Sequence, residues 1–484
     1  MSSFTRSKLL RLGLALVFLL GASGLQQRLN QQRKELGLTR VTPLENAPPM
    51  LAFTTVALGG FRGLIANVLW IRANDLQQED KFFEQVQLSD WITKLQPGIV
   101  QVWLVQAWNM AYNISVKFRD PADRWRWVQR GIELLRDDGI RYNPKEALIY
   151  RELAWFFQHK IGQTMDDAHL VYKQAWGTNI AAVLGGGHPN YEELFNPKTD
   201  EARQRVKRLR EQYKMDPAIM KKADDLYGPL EWRLPEASAI YWAVVGLENS
   251  NSKDLTPLRR VIFQCLHTIV LRGRIIHVRE DGRFVYGPDL TKIQNADDGY
   301  EKMLAEEKEK PIVVQKAHRN FLKEVVYLLY TRNRLKEADH WMAVLKQKYP
   351  DAVPPEQTAQ QFGFKRLTES LGEMNHNRTR VLIDSLLLQH FEALAIDEDE
   401  QADGSLRLAN DTWANYEKSI QSRRDPLQLE PFSAMYAQAR DQVLDPQSGY
   451  PKIYQARLRT KLSLPEPSPA AATNAPAAVP APKK

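Results

Sequence analysis

Residues 150–169 read YRELAWFFQHKIGQTMDDAH. Two histidines, His159 and His169, bracket an adjacent acidic pair, Asp166 and Asp167. Imidazole and carboxylate are ligands of hydrolytic metal centres and partners in general acid–base catalysis. These four residues are therefore the candidates for a metal-dependent or acid–base enzyme. Their spacing is not that of HExxH, in which two histidines share one helix face. The same stretch also divides into an apolar helix, a polar turn and an acidic helix start, where carboxylates favour the unpaired N–H groups and the dipole. The expected reading is scaffold, with no catalytic residue, no cofactor and no metal. The metal or acid–base site is the alternative.

Other chemistry-bearing residues give weaker patterns. DEQADGSLRLAN, residues 399–410, places Asp399, Asp403 and Gly404 at EF-hand offsets, but Asn410 stands where the bidentate glutamate belongs and Gln401 replaces a usual ligand. An acidic turn is expected there. His188 lies in the glycine loop GGGHPNY, which lacks the Lys-Ser/Thr pair of a phosphate loop. Cys265, the one cysteine, sits in the apolar run VIFQCLHTIVL and reads as a small buried hydrophobe. A single cysteine excludes an intrachain disulfide and a thiolate zinc cluster. No nucleophile elbow, Walker motif or dinucleotide fingerprint is present.

The elements that would position these groups are mostly helices. The chain has 484 residues, 43% of them hydrophobic and 26% charged, enough to bury a sizeable core. The net charge of +8 is spread over 66 basic and 58 acidic residues. That is not the concentrated basic face of a nucleic-acid binder. Arg6, Lys8 and Arg11 precede LGLALVFLLGASGL, a basic region followed by a short apolar core and small residues. Residues 1–25 thus read as a signal peptide or membrane anchor, both open, in a chain anchored at the inner membrane or exported to the periplasm. A polar linker, 26–49, follows. The apolar run 50–71 carries Arg62 among Gly59, Gly60 and Gly63, which argues against a membrane span and for the first helix of the body.

From there apolar residues recur at three- and four-residue spacing. Four helical segments are expected: repeats over 50–182, a charged insertion over 183–230, a helical pair carrying a β-hairpin over 231–310, and repeats again over 311–460. The hairpin signal is RIIHVREDGRFVYGPDL, with alternating apolar residues around Asp281-Gly282. Residues 461–484 form a Pro/Ala-rich tail with too little hydrophobicity to fold.

NFLKEVVYLLYTRNRLKEADHWMAVLKQKYP contains the clearest repeat unit. Leu322, Val325, Val326 and Leu329 share one face of a first helix. Leu335, Ala338, Met342 and Leu345 line a second, and Pro350 ends it. This spacing resembles the tetratricopeptide repeat, a helix–turn–helix unit of about 34 residues. Three further stretches share it. One has Leu69, Ala73, Leu76, Phe82, Val86, Leu95 and Pro97; another begins at Trp103 and Ala107. The third is the opening stretch, with Tyr150, Leu153, Ala154 and Phe157, then Ala168, Tyr172 and Ala175. The resemblance spans about half the chain. It implies an all-α, right-handed α-solenoid whose stacked hairpins share one core. It also implies a non-catalytic bacterial scaffold that binds a protein or peptide along its concave face. Carried onto this chain, that face would use Arg72, Asn74, Asn109, Asn113, Arg151 and Glu152. Eight of the twelve tryptophans lie between Trp70 and Trp176, as expected for packing between repeats.

Overall fold

Helix starts in this chain are marked by residues that satisfy free N–H groups. Asp120 and Asp216 each precede a proline and accept the N–H two residues on, from Ala122 at 2.9 Å and Ala218 at 2.7 Å. Thr199, Asn190 and Asn375, without proline, each accept the N–H three residues on. Such caps contribute about 1 kcal/mol each and fix where a helix begins.

The computed structural model describes residues 61–278, 284–306, 311–369, 375–421 and 427–465, with scattered positions between 13 and 32. Most of the expected signal or anchor and of the linker, the first part of the apolar run, the Asp281-Gly282 turn and nearly all of the tail lie outside the described residues. Two units are distinguished, Met1–Pro97 and Gly98–Lys484. In the first, α1 (Phe61–Gln78) pairs with α2 (Phe82–Leu95). Ala66, Ala73 and Leu76 are buried with Phe82, Gln85, Ser89 and Ile92. The inward row of α2 therefore runs through Gln85, not Val86. Gln85 is accommodated because its Nε2 donates to Gln77 Oε1 at 3.3 Å.

The second unit begins with α3 (Val100–Trp108), which continues as a π turn, Asn109–Ile114. Next come α4 (Pro121–Glu133) with a π turn at Leu134–Gly139, and α5 (Ala147–Trp155) with a π turn at Phe156–Ile161. The chain continues through α6 (His169–Leu184), α7 (Tyr191–Phe195), α8 (Asp200–Glu211), α9 (Pro217–Tyr227), α10 (Pro235–Asn249) and α11 (Thr256–Arg272). A hairpin follows, β1 (Arg274–Val278) antiparallel to β2 (Phe284–Gly287), with Ile275 opposite Tyr286. Then come α12 (Ile293–Glu306), α13 (Pro311–Thr331), α14 (Leu335–Lys348), α15 (Ala359–Glu369), α16 (His376–Ala395), α17 (Asp399–Ile420), α18 (Phe432–Leu444) and α19 (Lys452–Lys461).

The fold is all-α, and its packed helical hairpins are compatible with a helical repeat. Helix α10 packs on α5 and α11, α13 on α14, and α16 on α17. Leu322, Val325, Val326 and Leu329 are fully buried, as are Tyr150, Leu153, Ala154 and Phe157. Gly246 lets α10 approach α5, since a Cβ there would stand 2.7 Å from Tyr150 Cβ.

One expectation needs correction. Residues 399–410 form neither a calcium loop nor an acidic turn; they open the continuous helix α17. Gly404 serves close packing, because a Cβ there would collide with the Thr331 carbonyl. In the charged segment 183–230, Arg203, Lys207, Arg208 and Arg210 are exposed, while Leu194, Val206, Leu209, Met220 and Ala223 belong to the core. Of the tryptophans between 70 and 176, Trp103 and Trp176 are buried and Trp125 and Trp155 pack partly buried against the core, whereas Trp108 is 40% exposed.

Candidate functional site

Tyr112 lies in the π turn that extends α3, and His159 in the one that extends α5. A π turn adds a residue to the helical ring and re-aims the side chains after it, and such turns are frequent at functional sites. Here Tyr112 Oη and His159 Nδ1 meet at 3.0 Å. Trp155, four residues before His159, stacks on its ring at 4.5 Å and 11°. Arg151, four residues earlier again, places its guanidinium 5.0 Å from the Trp155 ring centroid and donates to Glu152 Oε2 at 2.8 Å. Trp108 stacks on Tyr112 at 5.3 Å. Each step within a helix uses the i,i+4 spacing that brings side chains face to face. The result is a continuous row of Trp108, Tyr112, His159, Trp155 and Arg151 across two helices.

Burial tunes the row electrostatically. It raises the Tyr112 phenol, aided by the nearby Glu152 carboxylate. It raises Glu152 itself, against the pull of Arg151. His159 is lowered, first by burial and then by the Lys160 charge. A neutral imidazole against a protonated phenol, with aromatic faces and one guanidinium, suits hydrogen bonding and stacking to a peptide.

The acidic pair belongs to a different cluster. Lys160 is buried, and its Nζ lies 2.6 Å from Asp166 Oδ2 and 4.9 Å from the Tyr112 ring centroid. Asp166 also accepts from Tyr172 Oη at 3.1 Å, Ala168 N–H at 2.9 Å and Arg124 at 3.3 Å. Burial pushes this carboxyl up, but Lys160, the Ala168 amide and Tyr172 outweigh it and hold it at about 2. Asp167 is exposed and pairs with Arg124.

His169 enters a third cluster. Its Nδ1 is 2.9 Å from Lys173 Nζ, and the buried Lys173 also reaches the Gln163 carbonyl at 3.3 Å. Burial, then Arg272, lowers Lys173 to about 8. Glu236, fully buried and 3.7 Å from Arg272, is raised by burial. Cys265, also buried, is raised well above its ordinary value by burial and the Glu236 charge.

His159, Asp166, Asp167 and His169 are thus divided among three clusters. Among the described residues, the one His/Cys/Asp/Glu group whose ligand atoms lie within 4.8 Å of one another is Asp297, Glu301 and His318. Lys348 Nζ is bound in it, 2.9 Å from Asp297 Oδ2 and 2.8 Å from Glu301 Oε1. The buried His318 bridges Asp297 Oδ1 at 2.7 Å and Tyr349 Oη at 3.0 Å. The only sequence signal for this group is the i,i+4 spacing of Asp297 and Glu301; His318 and Lys348 come from separate helices.

Of the partner-binding candidates, Arg151 lies in the aromatic row with Glu152 paired to it, and Asn113 is in the same π turn as Tyr112. Asn113 donates to Asn109 Oδ1 at 3.0 Å, and Asn109 is buried. Arg72 and Asn74 are on α1, outside its Ala66–Ala73–Leu76 face. Trp108, Tyr112 and Trp155 were not singled out by sequence. The Trp–x3–Tyr and Trp–x3–His spacings were the available signal. His188 is exposed beside Glu231. No protein-family model matches the chain, and no curated protein matches it.

Proposed function

We propose that the chain is a non-catalytic scaffold that binds a protein or peptide through the row Trp108, Tyr112, His159, Trp155 and Arg151. The observation that carries this reading is the aromatic stacking itself. It joins two successive hairpins and leaves Trp108 exposed at one end and Arg151 half-exposed at the other. Aromatics and arginine are the side chains that most often dominate binding energy at interfaces. Asp166 supports scaffold over catalysis, because Lys160, Tyr172, Arg124 and a backbone amide already engage it. In the finer form of the proposal, the helical hairpins are tetratricopeptide-like units of a right-handed solenoid, and the row faces its concave side. The chain works at the bacterial cell envelope, held by its N-terminal segment. Among the described residues no helix is long and apolar enough to cross a membrane. The anchoring therefore rests on the basic-then-apolar start of the sequence.

The test is crosslinking and affinity capture from its own cells with the full chain, Trp108→Ala, Arg151→Ala and an exposed control, Arg203→Ala. Expected is a partner captured by wild type and control and lost from the other two. Equal capture by all four chains would overturn the assignment of the row. For placement, protease added to spheroplasts should digest the body; a protected body would overturn export.

A further inference from the structure

Helix α1 is apolar on two opposite faces. Ala66, Ala73 and Leu76 form one, which is buried where α1 pairs with α2. Leu64, Val68 and Ile71 form the other, and they are 64%, 60% and 64% exposed. Spacings of four and three residues set these three side chains in one line along the helix. Exposed apolar residues scattered singly are ordinary, but a contiguous line of large ones marks an interaction surface. A helix with two apolar faces needs two partners, and α2 is one of them.

A second stretch of the same unit indicates what the other partner is. Val17, Phe18, Leu25 and Leu29 are helical, and each is at least half exposed. They belong to the basic-then-apolar start of the chain, whose side chains suit lipid. Two helical stretches of one unit thus leave apolar side chains uncovered, and a bilayer suits both. The sequence just before α1, residues 50–60, carries no charged side chain. Helix α1 is not apolar enough to cross a membrane, so it would lie along the surface. Its polar residues fit that placement: Asn67 and Arg72 flank the line and Asp75 ends it, all exposed. Arg62 argues against a span but not against the interface, where cations meet lipid phosphates.

We propose that the face of α1 formed by Leu64, Val68 and Ile71 rests in the boundary between headgroups and acyl chains of a bilayer, as a second membrane contact after the N-terminal segment. This deepens the envelope reading above and rests on it. Three side chains bury too little area to hold a free protein on lipid. On a chain already tethered by its N-terminal segment the second contact is intramolecular, and a short line suffices. The aromatic row has no part in it.

The experiment reconstitutes the full chain in vesicles of phosphatidylethanolamine and phosphatidylglycerol, with an environment-sensitive fluorophore on one introduced cysteine. The labelled variants are Val68→Cys on the line, Phe18→Cys in the N-terminal segment and Arg203→Cys on the body. Cys265 is buried, and wild type treated with the fluorophore is the blank. Quenching by doxyl-labelled lipid is compared with quenching by aqueous iodide. Expected are lipid quenching at Val68 and Phe18 and iodide quenching alone at Arg203. A label on Ile71→Cys should be quenched by lipid in the same way, and that quenching should be lost when Leu64→Ser and Val68→Ser are added. Should Val68→Cys fail to fold, Ile71→Cys carries the comparison. Lipid quenching at Phe18 but not at Val68 overturns the inference and leaves the anchor standing; quenching at neither overturns both. A Val68 label shielded from lipid and iodide alike also overturns it, because protein would then cover the face. So does lipid quenching at Ile71 that survives the two serines.

Discussion

Lys160 Nζ sits 2.6 Å from Asp166 Oδ2, with only 4% and 6% of the two side chains exposed. This ion pair closes the turn between α5 and α6. It also explains why the acidic pair is not available chemistry: Asp166 is the acceptor around which the turn is built. Removing one partner strands the other. Lys160→Met or Asp166→Leu alone should cost about 3–5 kcal/mol, and the double variant less than the sum. Urea unfolding of the three variants checks this. Additive losses would mean the pair is not coupled.

The same carboxylate sets an acid limit. Its folded pKa of about 2 lies below the ordinary carboxylate value, so the folded state binds fewer protons than the unfolded state as pH falls. Its contribution is complete above the unfolded value near 4 and is lost between there and about 2. Asp166→Asn should therefore be less stable than wild type at neutral pH and converge on it near pH 2. Melting curves across that range measure it. A constant gap would contradict the assignment.

Lys173 shows the same direction of pH dependence in a higher window, although here the cause is burial of a cation. Its folded pKa, about 8, is below the ordinary lysine value of 10.5. The unfolded chain then holds more protons between those limits, so this group's contribution grows more favourable as pH rises from 8 towards 10.5. Wild type should gain stability relative to Lys173→Met over that window. Thermal melts of both chains at pH 7 to 10 test the difference. A gap that does not change with pH would exclude the lowered value.

The turn at Asp166 shows where legibility ended. The first-helix faces at Tyr150–Leu153–Phe157 and Leu322–Val325–Leu329 were plain in sequence, because burial on one helix side writes a 3.6-residue period. The Asp281-Gly282 signal located the hairpin, and Asp120-Pro121 marks a start by a local hydrogen bond. The aromatic row was not legible. It joins Tyr112 to His159 across 47 positions, through two π turns that have no sequence signature. The core role of Leu194, Val206 and Leu209 was hidden by the charged residues between them. A helix needs only a narrow apolar stripe to pack, so average polarity misleads.

Gly404 was misread for a related reason. A glycine after Asp403 looks like loop chemistry, yet it lies within α17, where only hydrogen fits against the Thr331 carbonyl. Gly404→Ala should destabilise by about 1–3 kcal/mol despite the better helix propensity of alanine. Gly404→Ala stability in urea decides it. A more stable variant would show that the contact relaxes freely. Millimolar calcium should leave the wild-type melting temperature unchanged, since Asp399 and Asp403 are helical and Asp399 is paired to Lys461 at 2.6 Å.

Lys348 gives the sharpest contrast between structural and chemical use of the same residue types. Asp297, Glu301 and His318 have the identities and proximity of a divalent site, but the ammonium of Lys348 neutralises the two carboxylates from within. Burial opposes its charge, but the two carboxylates more than offset that and hold Lys348 above its ordinary value. Lys348→Ala removes the cation and leaves the acids facing each other. It should destabilise the fold and make the melting temperature respond to zinc, because imidazole with two carboxylates is a competent zinc set. Wild type should respond far less, because the ammonium takes the place of the cation between the carboxylates. Adding His318→Ala to Lys348→Ala should abolish the zinc response. Melting curves of the three chains with and without micromolar zinc make the comparison. An unresponsive Lys348→Ala chain would show that the three donors, though close, do not converge on one point.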